Sequence, residues 1–110
     1  MIKSWSDAAW EDFEYWMKQD KKTLKRILQL LKDIDRNGYD GIGKPERLSG
    51  DLAAYWSRRI DDANRIVYRI EGNTIKIVQC GSHLEISKQQ HFDPRKSLTL
   101  LLIVLVLIVK

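Results

Sequence analysis

The sequence predicts an α+β domain: an N-terminal helical hairpin packed on a twisted antiparallel β-sheet. Apolar residues recur at helical spacing as far as Ile34. Beyond Tyr55 the period falls to that of strands, and short polar turns separate the later apolar runs. Strands joined by turns this short must run antiparallel, and helices that bury one stripe against a sheet give a two-layer domain.

The elements follow in order. Ile2 to Trp5 reads as a short first strand. Ser6 is a good N-cap, because its hydroxyl can accept from an amide of the first turn. Behind it Ala9, Trp10, Phe13, Trp16 and Met17 share a helix face, with Asp7, Glu11 and Asp12 early, where the helix dipole favours acids. Asp20 can cap a second helix directly after the first. The apolar face of that helix is Leu24, Ile27, Leu28, Leu31 and Ile34, and its other side carries Lys22, Lys25, Lys32 and Arg36, with Gln29 among them. Asn37-Gly38 ends it. Gly38, Gly41, Gly43, Pro45 and Gly50 mark residues 38–54 as mainly loop, with a short strand near Glu46 to Leu48. Strands are then expected over Tyr55–Asp61, Arg65–Ile70 and Thr74–Cys80, separated by Asp62-Ala63-Asn64 and Glu71-Gly72-Asn73.

Alternation sorts the faces. Ile66, Tyr68 and Ile70 point one way, joined by Ile75 and Ile77, while Arg65, Val67 and Arg69 point the other. On the preceding strand Arg59 shares a face with Tyr55 and Ser57, and Trp56 shares the opposite one with Ile60. If the apolar faces coincide, Arg59 and Arg65 project together from the open face of the sheet. A bulge would break that inference. Trp5, Trp10, Trp16 and Trp56 are expected in the core.

Composition narrows the function classes. The chain has 110 residues, 31% of them charged, and a net charge of +4, which suits one small globular domain with a mild preference for polyanions. A single cysteine, Cys80, excludes an intrachain disulfide framework and fits a reducing, cytoplasmic setting. Ile2-Lys3-Ser4-Trp5-Ser6 leads into an amphipathic segment rather than a secretory signal. Leu98 to Val109 is almost wholly apolar, yet as a helix it would reach only about 18 Å, short of the roughly 20 residues that cross a bilayer. No membrane partner is expected.

One carboxylate in a Gly/Pro loop (Glu46), two arginines on an open sheet face (Arg59 and Arg65) and one histidine past the last strand (His83) could converge. RNA cleaves itself when its 2'-hydroxyl attacks the neighbouring phosphate. That reaction needs a base for the hydroxyl proton, a role open to Glu46. It needs cations for the phosphoryl oxygens, for which fork-shaped guanidinium is best suited. It also needs an acid for the leaving 5'-oxygen, and His83 titrates in the right range. No metal or other cofactor is required, and Cys80 with His83 and His91 has poor zinc spacing. From spacing alone the ordinary readings carry more weight: Glu46 beside Lys44 as a solvated charge, the basic helix stripe as a solvated face, His83 as a structural residue.

Several strings change that balance. They are Trp5-Ser6 with Trp10, Tyr15-Trp16, Asp20-Lys21-Lys22, Gly41-Ile42-Gly43-Lys44-Pro45-Glu46, Trp56-Ser57-Arg58-Arg59-Ile60 and Asn64-Arg65-Ile66-Val67-Tyr68. Through them the chain resembles the YoeB/Txe family of toxins in the RelE/ParE superfamily, from Trp5 to His83 with hardly a gap. The resemblance implies the microbial RNase-like fold and a ribosome-dependent endonuclease that cuts mRNA in the A site. It implies a homodimer and a YefM/Axe-like antitoxin whose C-terminal segment covers the active face. By position, Glu46 would be the general base, His83 the general acid and Arg65 the holder of the scissile phosphate. Arg59 would assist, and Lys44 would add a phosphate contact. Lys22, Lys25, Lys32 and Arg36 would face the ribosome. The same fold also carries relatives that act on gyrase, but the Glu46, Arg65, His83 set speaks against that activity.

The chain departs from the family in two places. Leu84 follows His83 where the family ends in an active-site tyrosine, and Ser49 stands where the family has a basic residue. Leucine can neither hydrogen-bond nor stack as tyrosine does, so a degenerate toxin that binds without cutting is the competing reading. The resemblance makes residues 1–84 the toxin endoribonuclease domain, 85–97 a polar linker and 98–110 an apolar C-terminal tail. We read residues 85–110 as an extension without a catalytic role. Deleting them is expected to leave a folded, more soluble domain, measured by circular dichroism and sedimentation; a truncated chain that cannot fold would make the tail part of the core.

Overall fold

The computed structural model describes residues 1–82. His83, Leu84, the linker 85–97 and the tail 98–110 lie outside the described residues. The order is β1 (Ile2–Trp5), α1 (Asp7–Gln19), α2 (Lys21–Asn37), β2 (Glu46–Arg47), a short 3-10 turn (Gly50–Leu52), β3 (Trp56–Arg59), β4 (Arg65–Glu71) and β5 (Thr74–Gly81). The strands form one five-stranded sheet in the order β1-β5-β4-β3-β2.

Local chemistry sets the helix limits where the sequence indicates them. The Ser6 hydroxyl accepts from the Ala9 amide at 3.1 Å and donates to the Val78 carbonyl at 3.3 Å, so the cap also ties α1 to β5. Asp20 is the whole connection between the helices. Its carboxylate accepts from the Lys22 and Thr23 amides at 3.1 and 3.2 Å and from the Thr23 hydroxyl at 2.7 Å. The Thr23 hydroxyl, then its amide, hold the Asp20 carboxyl below its ordinary range. Gly38 ends α2 with φ +64°, a conformation that costs glycine little.

The sheet is mixed where an antiparallel one is expected. β4 pairs antiparallel with both β3 and β5, but β1 lies parallel to β5, with Ile2 opposite Thr74 and Trp5 opposite Ile77. The helical hairpin returns the chain to the end of the sheet it left, and β2, β3 and β4 then alternate in direction, so that β5 runs parallel to β1. β3 also stops earlier than its alternation suggests. The Asp61 carboxylate accepts from the Ala63 and Asn64 amides at 2.9 and 2.7 Å and turns the chain before Asp61 can pair.

The helices cover one face of the sheet. Trp5, Ala9, Phe13, Leu24, Ile27, Leu31 and Ile34 pack there with Ile66, Tyr68, Ile75 and Ile77. Trp5 and Trp10 are buried, and Trp16 and Trp56 pack partly buried against the cluster. The α2 stripe differs in one member: Leu30 is buried, whereas Leu28 is only partly so. The extra burial comes from the loop after α2, where a Cβ at Gly43 would stand 2.9 Å from Leu30 Cδ2.

A bulge does occur, but on β5. Val67 pairs with Gln79 and Tyr68 with Ile77, leaving Val78 as the additional residue. The bulge shifts the phase of β5, so that Cys80 faces the core beside Ile66, and it leaves the alternation of β3 and β4 intact. Burial pushes the Cys80 thiol well above its ordinary pKa. Ser6→Ala would remove a cap and strand the Val78 carbonyl, and we expect a loss of about 1–2 kcal/mol in urea-induced unfolding. An unchanged midpoint would show that water replaces both bonds.

Candidate active site

The site begins with an arginine whose phase, shared with Trp56 and Ile60, sends it inward. Arg58 has a side chain with 0% exposure. A buried guanidinium is tolerated only when paired and fully hydrogen-bonded, and every Arg58 donor finds an acceptor. Nε donates to the Tyr68 hydroxyl at 3.0 Å. Nη1 pairs with the Asp33 carboxylate of α2 and reaches the Ile42 carbonyl at 3.3 Å. Nη2 donates to the Gly38 carbonyl at 2.8 Å and to the Asp40 carbonyl. The same Asp33 oxygen accepts from the Ile42 amide at 3.0 Å.

The loop therefore winds around one ion pair. Gly41, at φ +117°, has no room for a side chain, because an added Cβ would stand 1.9 Å from the Asp33 carboxylate. The Gly43 carbonyl accepts from the Arg59 amide at 2.6 Å, laying the loop against the end of β3. Lys44 follows with φ +51°, a left-handed conformation that is costly for a residue with a Cβ, and more so before proline. Pro45 then leads into Glu46, the first residue of β2.

Register places the sequence-derived residues. Glu46 lies opposite Ser57, and Arg59 lies opposite Arg65. Directly opposed residues share a face, with Cα atoms about 4.5–5.5 Å apart, and diagonal neighbours lie roughly 7–8 Å apart. Glu46, Arg59 and Arg65 thus share the face turned from the helices, with Glu46 diagonal to Arg59. Glu46, Arg59 and Lys44 are exposed, and Arg65 is half-buried. The floor between them is closely packed: Ser57, Val67 and Gln79 are buried. Gly81, the last residue of β5, lies opposite Arg65. A Cβ there would meet the Asp12 carboxylate at 3.1–3.2 Å, and that carboxylate also accepts from the Cys80 amide at 3.1 Å.

The charges on this face divide into two sets. Arg69 and Lys76 pair with Glu71 at 3.1 and 2.9 Å, and Arg69 lies over the Tyr55 ring at 5.5 Å. Lys76, then Arg69, hold the Glu71 carboxyl below its ordinary range. Among the described residues the side chains of Arg59 and Arg65 have no carboxylate partner. Like charges directly opposed across a strand pair destabilise it. Two guanidinium groups so placed are chemically suited to an anion with several oxygens, such as a phosphodiester.

Four of the six basic residues of α2, Lys22, Lys25, Lys32 and Arg36, form the stripe read from the sequence, and all four are exposed. Lys22 borders a cleft of about 380 Å³ shared with Asp20, Thr23, Arg26, Ile60 and Asp61, next to the turn that follows Arg59. Lys32 and Arg36 lie further along α2, roughly 15–21 Å from Lys22 at the helical rise.

Residues 5–84 match the family model described as the YoeB-like toxin of bacterial type II toxin–antitoxin systems. The chain belongs to that family. A YoeB toxin of Streptomyces coelicolor is 46% identical over 80 residues, which cover 73% of this chain and 95% of that protein. A YoeB–YefM complex from Staphylococcus aureus superimposes with a TM-score of 0.73 at 46% identity, covering 76% of this chain and 97% of the matched one. A YoeB dimer from the same organism gives a TM-score of 0.72 at 48% identity, with the same coverage. The α+β, RelE/ParE-like fold expected from the sequence is the one these YoeB structures share.

In this YoeB-family toxin the inward arginine is the residue that sequence reasoning passed over. Its phase between Trp56 and Ile60 was the available signal, but its partner Asp33 lies 25 residues away on another element. The Arg58 guanidinium, then the Ile42 amide, hold the Asp33 carboxyl below its ordinary range. A depressed folded-state pKa contributes stability above the unfolded value, about 4, and loses it as pH falls through the folded value. Asp33→Asn is therefore expected to melt lower than wild type at neutral pH and to lose less further stability on acidification below about pH 4. Equal acid slopes in thermal melts of the two proteins would remove Asp33 as the titrating partner.

Proposed function

We propose that the chain is the toxin of a toxin–antitoxin pair and acts as a ribosome-dependent mRNA endoribonuclease. The observation that carries this reading is the opposed, unneutralised pair Arg59 and Arg65, with the Glu46 carboxylate diagonal to it on the same face.

Glu46 accepts the proton of an RNA 2'-hydroxyl, and the oxygen attacks the adjacent phosphorus. Arg65 and Arg59 hold the phosphoryl oxygens as charge builds in the transition state, and Lys44 adds a contact to the backbone. His83 gives a proton to the departing 5'-oxygen. The products are a 2',3'-cyclic phosphate and a 5'-hydroxyl, with no water consumed in this step. β5 ends opposite Arg65, two residues before His83 in the chain, which supports a role for the imidazole at the same phosphate.

The basic stripe Lys22, Lys25, Lys32 and Arg36 is the surface proposed to face ribosomal RNA, and a cytoplasmic location follows from that target. The solved YoeB–YefM complex and YoeB dimer support two further parts of the proposal: a YefM/Axe-like antitoxin partner and a homodimer. Leu84 favours one competing reading, a toxin that still binds antitoxin or ribosome but does not cut. Loss of a tyrosine ring and hydroxyl could slow cleavage by an order of magnitude or more, each tenfold being about 1.4 kcal/mol.

Induced expression in bacteria separates the readings. The nuclease arrests growth and leaves A-site cuts in mRNA, and Glu46→Ala or His83→Gln lowers cleavage by about 100- to 10,000-fold. Absence of arrest supports the non-cutting toxin. Arrest with intact mRNA and broken DNA supports a gyrase-directed relative.

A further inference from the structure

We infer that Arg58, with Asp33, is the positioning residue for Glu46: a buried ion pair that fixes the loop from which the carboxylate is presented. This role rests on the nuclease reading above and adds to it a residue that touches no substrate.

The argument is geometric. β2 consists of only Glu46 and Arg47. A strand that short has little pairing of its own to hold it, so its placement depends on what precedes it. Immediately before it lie a left-handed Lys44 and a proline. A left-handed residue before proline persists only where the surroundings enforce it. The enforcement comes from behind: Arg58 takes the carbonyls of Gly38, Asp40 and Ile42, and Asp33 takes the Ile42 amide. The Gly43 carbonyl is then bound by the amide of Arg59, the next residue on the strand. Residues 58 and 59 thus divide the work by alternation. One side chain anchors the loop beneath the sheet, and the other meets the phosphate above it. Any shift of the anchor moves Glu46 relative to Arg59.

Lysine cannot replace this residue, since a single ammonium cannot reproduce a fork spread over an ion pair, a hydroxyl and several carbonyls. Arg58→Lys should lower kcat for cleavage of ribosome-bound mRNA about 100-fold, the effect of a misplacement near 1 Å, with KM little changed. The decisive measurement is a double-mutant cycle with Glu46→Gln. If Arg58 acts through Glu46, the double variant cuts no more slowly than Glu46→Gln alone. If the two losses multiply while Glu46 is still required, the positioning role is overturned and the nuclease reading stands. Wild-type protein that cuts no mRNA, or cutting indifferent to Glu46→Gln, overturns the nuclease reading and this role with it.

Amide hydrogen exchange on the full chain reads the anchor without activity. Arg58→Lys is expected to speed exchange at Ile42 and Arg59 while Ile66 and Ile75 keep their protection. Unchanged protection at Ile42 and Arg59 overturns the anchor. Should Arg58→Lys fail to fold, Asp33→Asn is carried through the same double-mutant cycle with Glu46→Gln, with the same kinetic expectations and outcomes.

Discussion

A positive charge sealed inside a small domain constrains everything around it. Arg58 has no access to water, so each of its donors must be met from the protein, and the acceptors come from α2, from the loop behind it and from β4. Breaking such a pair by removing one member is far more damaging than the pair is stabilising, because the other charge is left stranded. The loop at residues 38–43 is therefore tied to α2 and β3 through Asp33 and Arg58. Lys44, Pro45 and Glu46 follow it without a gap.

The outer face of the sheet follows the opposite rule. Arg69 and Lys76 are neutralised by Glu71, whereas Arg59 and Arg65 stand opposed with no acid paired to them among the described residues. An unneutralised pair is costly in an empty protein and favourable once an anion bridges it. Two neighbouring arginines in one strand, 58 and 59, thus serve unlike purposes by pointing in opposite directions. The inward one is paired and satisfied, and the outward one, with no carboxylate partner among the described residues, is the one proposed to meet the phosphate.

Much of this was legible in the chain itself. Ser6, Asp20 and Gly38 mark helix limits by local chemistry, and local chemistry does not depend on distant partners. Period-2 alternation put Arg59 and Arg65 on one face, and the register agrees because the bulge falls at Val78 on β5, away from their strand pair. What escaped depends on contacts between elements. The burial of Leu30 comes from a loop folded over it, and the parallel placement of β1 from its pairing with β5, far apart in sequence. The inward charge at Arg58 looks like an error of pattern until Asp33 is known to stand opposite it. The left-handed Lys44 has no residue-level signature at all, since its neighbour Pro45 argues for an extended backbone there.

The seam between β1 and β5 has a consequence for synthesis. Ser6 and Val78, which close it, are 72 residues apart, and β5 stands between β1 and the rest of the sheet. Until β5 emerges, β1 lacks the strand it pairs with and the hairpin has no complete surface to cover. Contacts of such long range are formed late and slowly. A growing chain thus keeps an incomplete sheet until β5 has been made and can pair with both β1 and β4.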